Sequence, residues 1–198
     1  MVNIRYHEIP GYDVSFPSVT SLIELYAQYG LINVFIPKSD NRASIGTTAH
    51  AIIARINKGG HVDDKEWDTL DKRTQSAVIA FLRWQKDTGF KPRICEELLY
   101  SLKYGLAGHA DAIGTIKHSV GVFDWKLGDI KCERVKYQLS AYGFLYLEQF
   151  PNRTLNRGFR GVHLDTETAT YSEMIMDFDE ASYYFRKFLA FKKEVGII

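Results

Sequence analysis

The chain has 198 residues, which at about 150 residues per domain argues for a single domain over 1–198. With 45% hydrophobic and 25% charged residues it has the balance of an ordinary globular protein, so whole-chain disorder is excluded. Lys and Arg total 25 against 24 Asp and Glu; the net charge of +1 excludes coating of nucleic acid by bulk charge, but not a local basic groove.

Ser18-Val19-Thr20-Ser21 predicts a capped start to a short helix carrying Leu22, Ile23, Leu25 and Tyr26. A second helix is expected over 44–57, with Ile45, Ala49, Ile52, Ile53 and Ile56 as an apolar stripe and Gly59-Gly60 as its stop. A third is expected over 64–86, with Trp67, Leu70, Val78, Phe81 and Leu82 facing inward and an end near Gly89. The pattern then changes to three strands, 93–102, 105–116 and 119–126, separated by the short breaks Lys103-Tyr104-Gly105 and Lys117-His118-Ser119. A helix over 133–149, strands over 157–164 and 168–176, and a last helix over 179–194 follow. This order predicts an α/β domain with a central mixed sheet flanked by helices.

No apolar run reaches the roughly 18 residues needed to cross a bilayer, and 1–8 has no hydrophobic signal core. A cytoplasmic protein with no membrane partner is expected. Cys95 and Cys132 give no disulfide framework and no four-cysteine iron–sulfur cluster, and they fit a reducing compartment. Together with His118 and His163 they also lack the paired spacing of a zinc site.

The most informative stretch is Tyr104-Gly-Leu-Ala-Gly-His-Ala-Asp111 followed by Val122-Phe-Asp-Trp-Lys126. Alternation along a strand places Asp124 and Lys126 on one face and Trp125 on the other, and a hairpin brings Asp111 beside Asp124. Two converging carboxylates repel unless a cation joins them, and oxygen ligands suit Mg²⁺ or Mn²⁺. A lysine beside such an ion can position water or stabilise charge on a phosphate, which describes metal-assisted phosphodiester hydrolysis. The plainer account of Asp124 and Lys126 is a salt bridge at a strand end. Gly105 and Gly108 point to close backbone approach or a bulge. Gln138 and Tyr142, four residues apart, share a helix face, and His50 lies in Gly46-Thr-Thr-Ala-His50 among small residues. By themselves these read as a polar stripe and a structural histidine.

Taken in order, Pro17-Ser-Val-Thr20, Gly46-Thr-Thr-Ala-His50, Glu97, Gly108-His-Ala-Asp111, Asp124-Trp-Lys126 and Gln138-Leu-Ser-Ala-Tyr142 resemble the RecB-like branch of the PD-(D/E)XK nuclease superfamily, which includes phage and mitochondrial genome maintenance exonucleases. The resemblance covers 16–146, with a motif core over 44–146. It implies a restriction-endonuclease-like α/β core and a Mg²⁺- or Mn²⁺-dependent deoxyribonuclease, an exonuclease acting on single-stranded DNA or DNA ends. It further implies that His50, Asp111, Asp124 and the main-chain carbonyl of Trp125 hold the metal and that Lys126 orients or activates the water. Glu97 would match the acidic position before the central hairpin, with Glu96 its neighbour. Gln138 and Tyr142 would support the site and contact the nucleic-acid backbone, and Thr47 and Thr48 would contact a phosphate near His50 unless they are simply helix surface. Replication, recombination and repair are the roles such relatives suggest, with proteins of those processes as further partners.

Three departures matter. With two cysteines, the iron–sulfur cluster of the CRISPR-adaptation members is excluded, and no Walker A motif builds in an ATP-driven helicase. His109 stands where many relatives have a small or hydroxylated residue. Two other readings stay open: a non-catalytic DNA-binding or assembly module of the same fold, and a nuclease acting on RNA. Arg153, Arg157 and Arg160, near Asn152 and Asn156, either grip phosphates or form a solvated loop.

Overall fold

In the computed structural model, residues 3–32 and 40–197 are described. The first turns are strand β1 (Tyr6–Glu8) paired antiparallel with β2 (Ser15–Pro17), then helix α1 (Val19–Gln28). Ser18 is the N-cap of α1 as expected, although its hydroxyl meets Thr20 Oγ1 at 2.9 Å rather than a backbone N–H. Neither β1 nor β2 was expected; three-residue strands are too short to show a period.

Helix α2 (Asp40–Asn57) buries Ala49, Ile52 and Ile53 and ends before Gly59, whose φ of 84° supplies the left-handed turn. The single helix expected over 64–86 is two, α3 (Asp64–Thr69) and α4 (Lys72–Thr88). Leu70 is extended, and the Asp71 carboxylate accepts the Arg73 N–H at 2.8 Å, starting a new helix. An aspartate that caps locally competes with continued helix, which the apolar period does not register. Leu82, expected inside, is 42% exposed, and α3 buries no residue. Gly89 ends α4 with φ 66°.

The central sheet has five strands in the order β3 (Lys91–Ile94), β6 (Ala112–Ile116), β7 (Ser119–Lys126), β8 (Phe159–Leu164), β9 (Tyr171–Met176). Among the described strands of this sheet only the β7–β8 pair is parallel, and its crossover is helix α5 (Glu133–Gln149). Strands β4 (Leu98–Ser101) and β5 (Leu106–His109) form a separate two-stranded sheet. The long strands expected over 93–102 and 105–116 are therefore each broken in two, at 95–97 and at 110–111. Gly105 lies in the β4–β5 turn with φ 57°, not within a strand.

Alternation along β7 divides the core. Phe123 and Trp125 face α2 and α4 with Phe81, Trp84 and Phe90, whereas Val122 faces α1, α5 and helix α6 (Phe178–Glu194). Asp124 and Lys126 share the parity of Val122. Helix α5 can approach the sheet because residue 143 has no side chain. A Cβ there would stand 2.1 Å from Cε1 of Phe159, which is fully buried. Alanine normally favours a helix interior over glycine, by about 1 kcal/mol. Here Gly143→Ala is expected to destabilise by about 1–3 kcal/mol through overpacking. A urea midpoint equal to or above that of the wild type would contradict this packing.

Candidate metal centre

The two strand breaks face each other. The β3–β6 and β4–β5 pairs keep one register across them, which sets Glu96 opposite Asp111, and the Glu96 N–H donates to the Ala110 carbonyl at 3.1 Å. The β6–β7 register in turn sets Asp111 opposite Asp124. Three carboxylates thus lie in one cross-strand row, an arrangement that repels when all are ionised. From α2, His50 Nδ1 approaches Asp111 Oδ1 at 3.4 Å. The ligand atoms of His50, Glu96 and Asp111 all lie within 4.8 Å of one another, a group that could hold a metal ion.

Asp111 is buried, and its other oxygen, Oδ2, accepts the Trp125 N–H at 2.8 Å. Burial alone would raise its pKa, but the charges of His50 and Lys126 and these hydrogen bonds outweigh burial and hold it down to about 2. Asp124, 1% exposed, has the opposite balance: burial, reinforced by Asp111, exceeds the pull of Lys126 and pushes its carboxyl up to about 6. Lys126 Nζ stands 2.6 Å from Asp124 Oδ2, and among the described residues no hydrogen bond otherwise reaches the Asp124 carboxylate. Burial and Asp111 likewise push Glu96 up to about 7, against His50 and Lys58. The His50 imidazole is raised because Asp111 outweighs its desolvation.

The acidic residue brought into this group is Glu96, whereas Glu97 is exposed and outside it. Glu96 has φ 52°, a left-handed conformation, and it is this residue, not Glu97, that joins His50 and Asp111. No glycine marks the place, so the sequence carries no signal for this conformation.

Gln138 and Tyr142 are buried on α5, with the Tyr142 phenol in the field of Asp111 and Asp124. Burial and Asp111 raise the Tyr142 phenol well above its ordinary value. Gly108 makes room for its ring: a Cβ there would stand 3.0 Å from Tyr142 Cε1. Buried in this way, Gln138 and Tyr142 back the site rather than line its open surface. Trp125 contributes its N–H to Asp111 and its side chain to the aromatic core. Thr47 and Thr48 donate their hydroxyls to the carbonyls of Ala43 and Ser44, each at 3.0 Å, on the surface of α2. Arg160 is buried and bound twice to Glu173, at 2.9 and 3.0 Å, so this member of the arginine cluster is not a free phosphate grip. Cys95 is buried and Cys132 half-buried, both as free thiols.

No protein-family profile and no curated protein sequence matches the chain. Among solved structures it is similar to an alkaline exonuclease (LHK-Exo) from Laribacter hongkongensis, at 14% identity over 90% of this chain and 86% of that one, with a TM-score of 0.36. The same protein in complex with dAMP gives a TM-score of 0.35 at 14% identity over the same shares, 90% and 86%. SSO0001 gives 0.31 at 16% identity, over 88% of this chain and 84% of that one. TM-scores of this size carry no inference about chemistry, which rests on the residues. Among the described residues, no helix is long and apolar enough to cross a membrane.

Proposed function

We propose that the chain is a divalent-metal-dependent nuclease that hydrolyses DNA phosphodiester bonds, as an exonuclease on single strands or ends. The observation that carries this reading is the carboxylate row Glu96, Asp111 and Asp124 with His50 at its side and Lys126 over its end. The donor set fits a hard cation: oxygen ligands with one imidazole suit Mg²⁺ or Mn²⁺. A carboxylate as buried as Asp124, with a single cationic contact, is costly for the fold alone and is the kind of group a divalent ion would relieve. The order of motifs shared with the RecB-like PD-(D/E)XK nucleases supports the same conclusion.

A divalent ion bound there would supply Lewis acidity toward a phosphate oxygen and lower the pKa of a water. The chain's own residues do the rest. Asp111, anchored by the Trp125 N–H, and His50, oriented by Asp111, fix the geometry of the ligand set. Lys126, held against Asp124, is placed to align the water and to offset negative charge developing on the phosphate. The Trp125 carbonyl remains a proposed further ligand.

The test is digestion of end-labelled single-stranded and duplex DNA with Mg²⁺, Mn²⁺ or EDTA, for wild type and Asp111→Asn. Cleavage is expected with metal only, and is expected to fall at least about 100-fold in the variant. DNA binding without cleavage in either metal would favour the non-catalytic module, and cleavage of RNA alone would move the substrate assignment.

A further inference from the structure

The β1–β2 hairpin lies beside β5, joined to it by a bridge between Ser18 and Ala107. This brings two histidines from distant parts of the chain together: the rings of His7 and His109 meet edge to face, with centroids 5.2 Å apart. From the loop between β1 and β2, Tyr12 meets Tyr100 of β4 in the same manner, at 6.4 Å. The two pairs are not separate. Leu98 pairs with His109 and Tyr100 with Ala107, so Tyr100 and His109 share one face of the β4–β5 sheet as diagonal neighbours. Such neighbours are about 7–8 Å apart. The result is one row of rings, Tyr12, Tyr100, His109 and His7.

Its surroundings point to a ligand. His109 and Tyr12 are exposed, the latter at 52%, while Tyr100 and His7 are half-buried. Two members of the row thus present ring surface to solvent. Arg5 bears electrostatically on both imidazoles, and Lys58 on His109. Glu8, on the same hairpin, projects from the opposite face of β1 to His7. The row passes beside the metal centre at His109, which precedes Asp111 by two residues at the 110–111 break.

Resting on the nuclease reading above, we infer that this row of rings is a stacking platform for the unpaired bases of a single strand, leading that strand to the carboxylates. Stacking on an aromatic face is tolerant of base identity, and flanking cations hold the phosphates. The platform therefore selects single strands over duplex without selecting sequence.

The test separates binding from cleavage. Affinity for a labelled oligothymidylate is measured with EDTA present, for wild type, His109→Ala, Tyr12→Ala, and His109→Phe, which keeps a ring. Each alanine variant is expected to bind about 5–100-fold more weakly, with His109→Phe close to wild type. An oligonucleotide of abasic units has nothing to stack, so wild type and the alanine variants should bind it equally. Equal affinity of all variants for the oligothymidylate would overturn the platform, and so would an equal loss on the abasic strand, which would mean a structural defect. Wild-type cleavage of DNA in Mg²⁺ or Mn²⁺ alongside either result would leave the nuclease reading standing. Single-strand binding that weakens in the alanine variants, without any cleavage, would support the platform while removing the nuclease reading.

Discussion

Asp124→Asn is expected to lower metal-dependent cleavage by about 1,000-fold or more, because several kcal/mol of charge stabilisation rest on the metal. The substitution keeps the shape of the side chain and leaves an amide oxygen facing Lys126, which stands 2.6 Å from the present carboxylate. What it removes is the negative charge. That charge is held in a buried place where desolvation pushes its carboxyl up to about 6, so burial itself opposes the ionised form that the substitution removes. Circular dichroism and calorimetry are therefore expected to show a folded protein. Lys126→Met provides the contrast. Lysine is not a ligand in this arrangement, so that variant should bind Mn²⁺ nearly as wild type does and still lose about 100- to 1,000-fold in rate. Asp124→Asn should lose both. Wild-type turnover by Asp124→Asn would remove Asp124 from the chemistry, and equal loss of Mn²⁺ binding in both variants would erase the distinction between their roles.

How far the sequence reveals this site depends on what kind of backbone carries each residue. Asp124, Trp125 and Lys126 follow from alternation in an unbroken eight-residue strand, and the observed ion pair on one face and aromatic core on the other agree with it. The four-residue offset of Gln138 and Tyr142 gives them one helix face, but by itself it reads as a polar stripe beside a core aromatic, and only the resemblance ties them to the site. Asp111 is legible as a neighbour of Asp124, but not the reason it can turn toward His50. That reason is the pair of breaks at 95–97 and 110–111, which cut a continuous hairpin into two sheets while keeping its register.

Apolar periodicity cannot show such breaks, because the residues on both sides keep strand-like composition. The same property hides Glu96. A non-glycine residue in a left-handed conformation costs energy and is imposed by tertiary structure, so the local sequence gives no warning. The division between α3 and α4 is the helical counterpart, set by an Asp71 cap where neither glycine nor proline marks a stop. The row of rings lay further out of reach. His7 and His109 are a hundred residues apart, and two three-residue strands bring them together.

Trp84→Ala is expected to cost about 3–5 kcal/mol, the usual range for deleting a buried aromatic side chain. Trp84 is fully buried between α4 and the sheet, and its ring lies 4.9 Å from Phe90, 5.0 Å from Trp125 and 5.5 Å from Phe123. Its indole N–H also donates to Glu173 at 2.8 Å, the carboxylate that Arg160 binds. Alanine would leave a cavity and would also strip one donor from a half-buried carboxylate. At about 2–4 °C per kcal/mol for a chain of this size, the melting temperature should fall by about 6–20 °C. Trp84→Phe keeps most of the packing and loses the donor, so a much smaller fall is expected. The effect reaches the metal centre through β7, since Trp125 is wedged in this cluster between Asp124 and Lys126. Loosening its far side frees the strand that holds both charges. Mn²⁺ affinity of folded Trp84→Ala should accordingly weaken, whereas Trp84→Phe should bind as wild type does. A variant that melts within 2 °C of wild type, a bound taken from the same scale of about 2–4 °C per kcal/mol, would show that this cluster does not anchor the sheet.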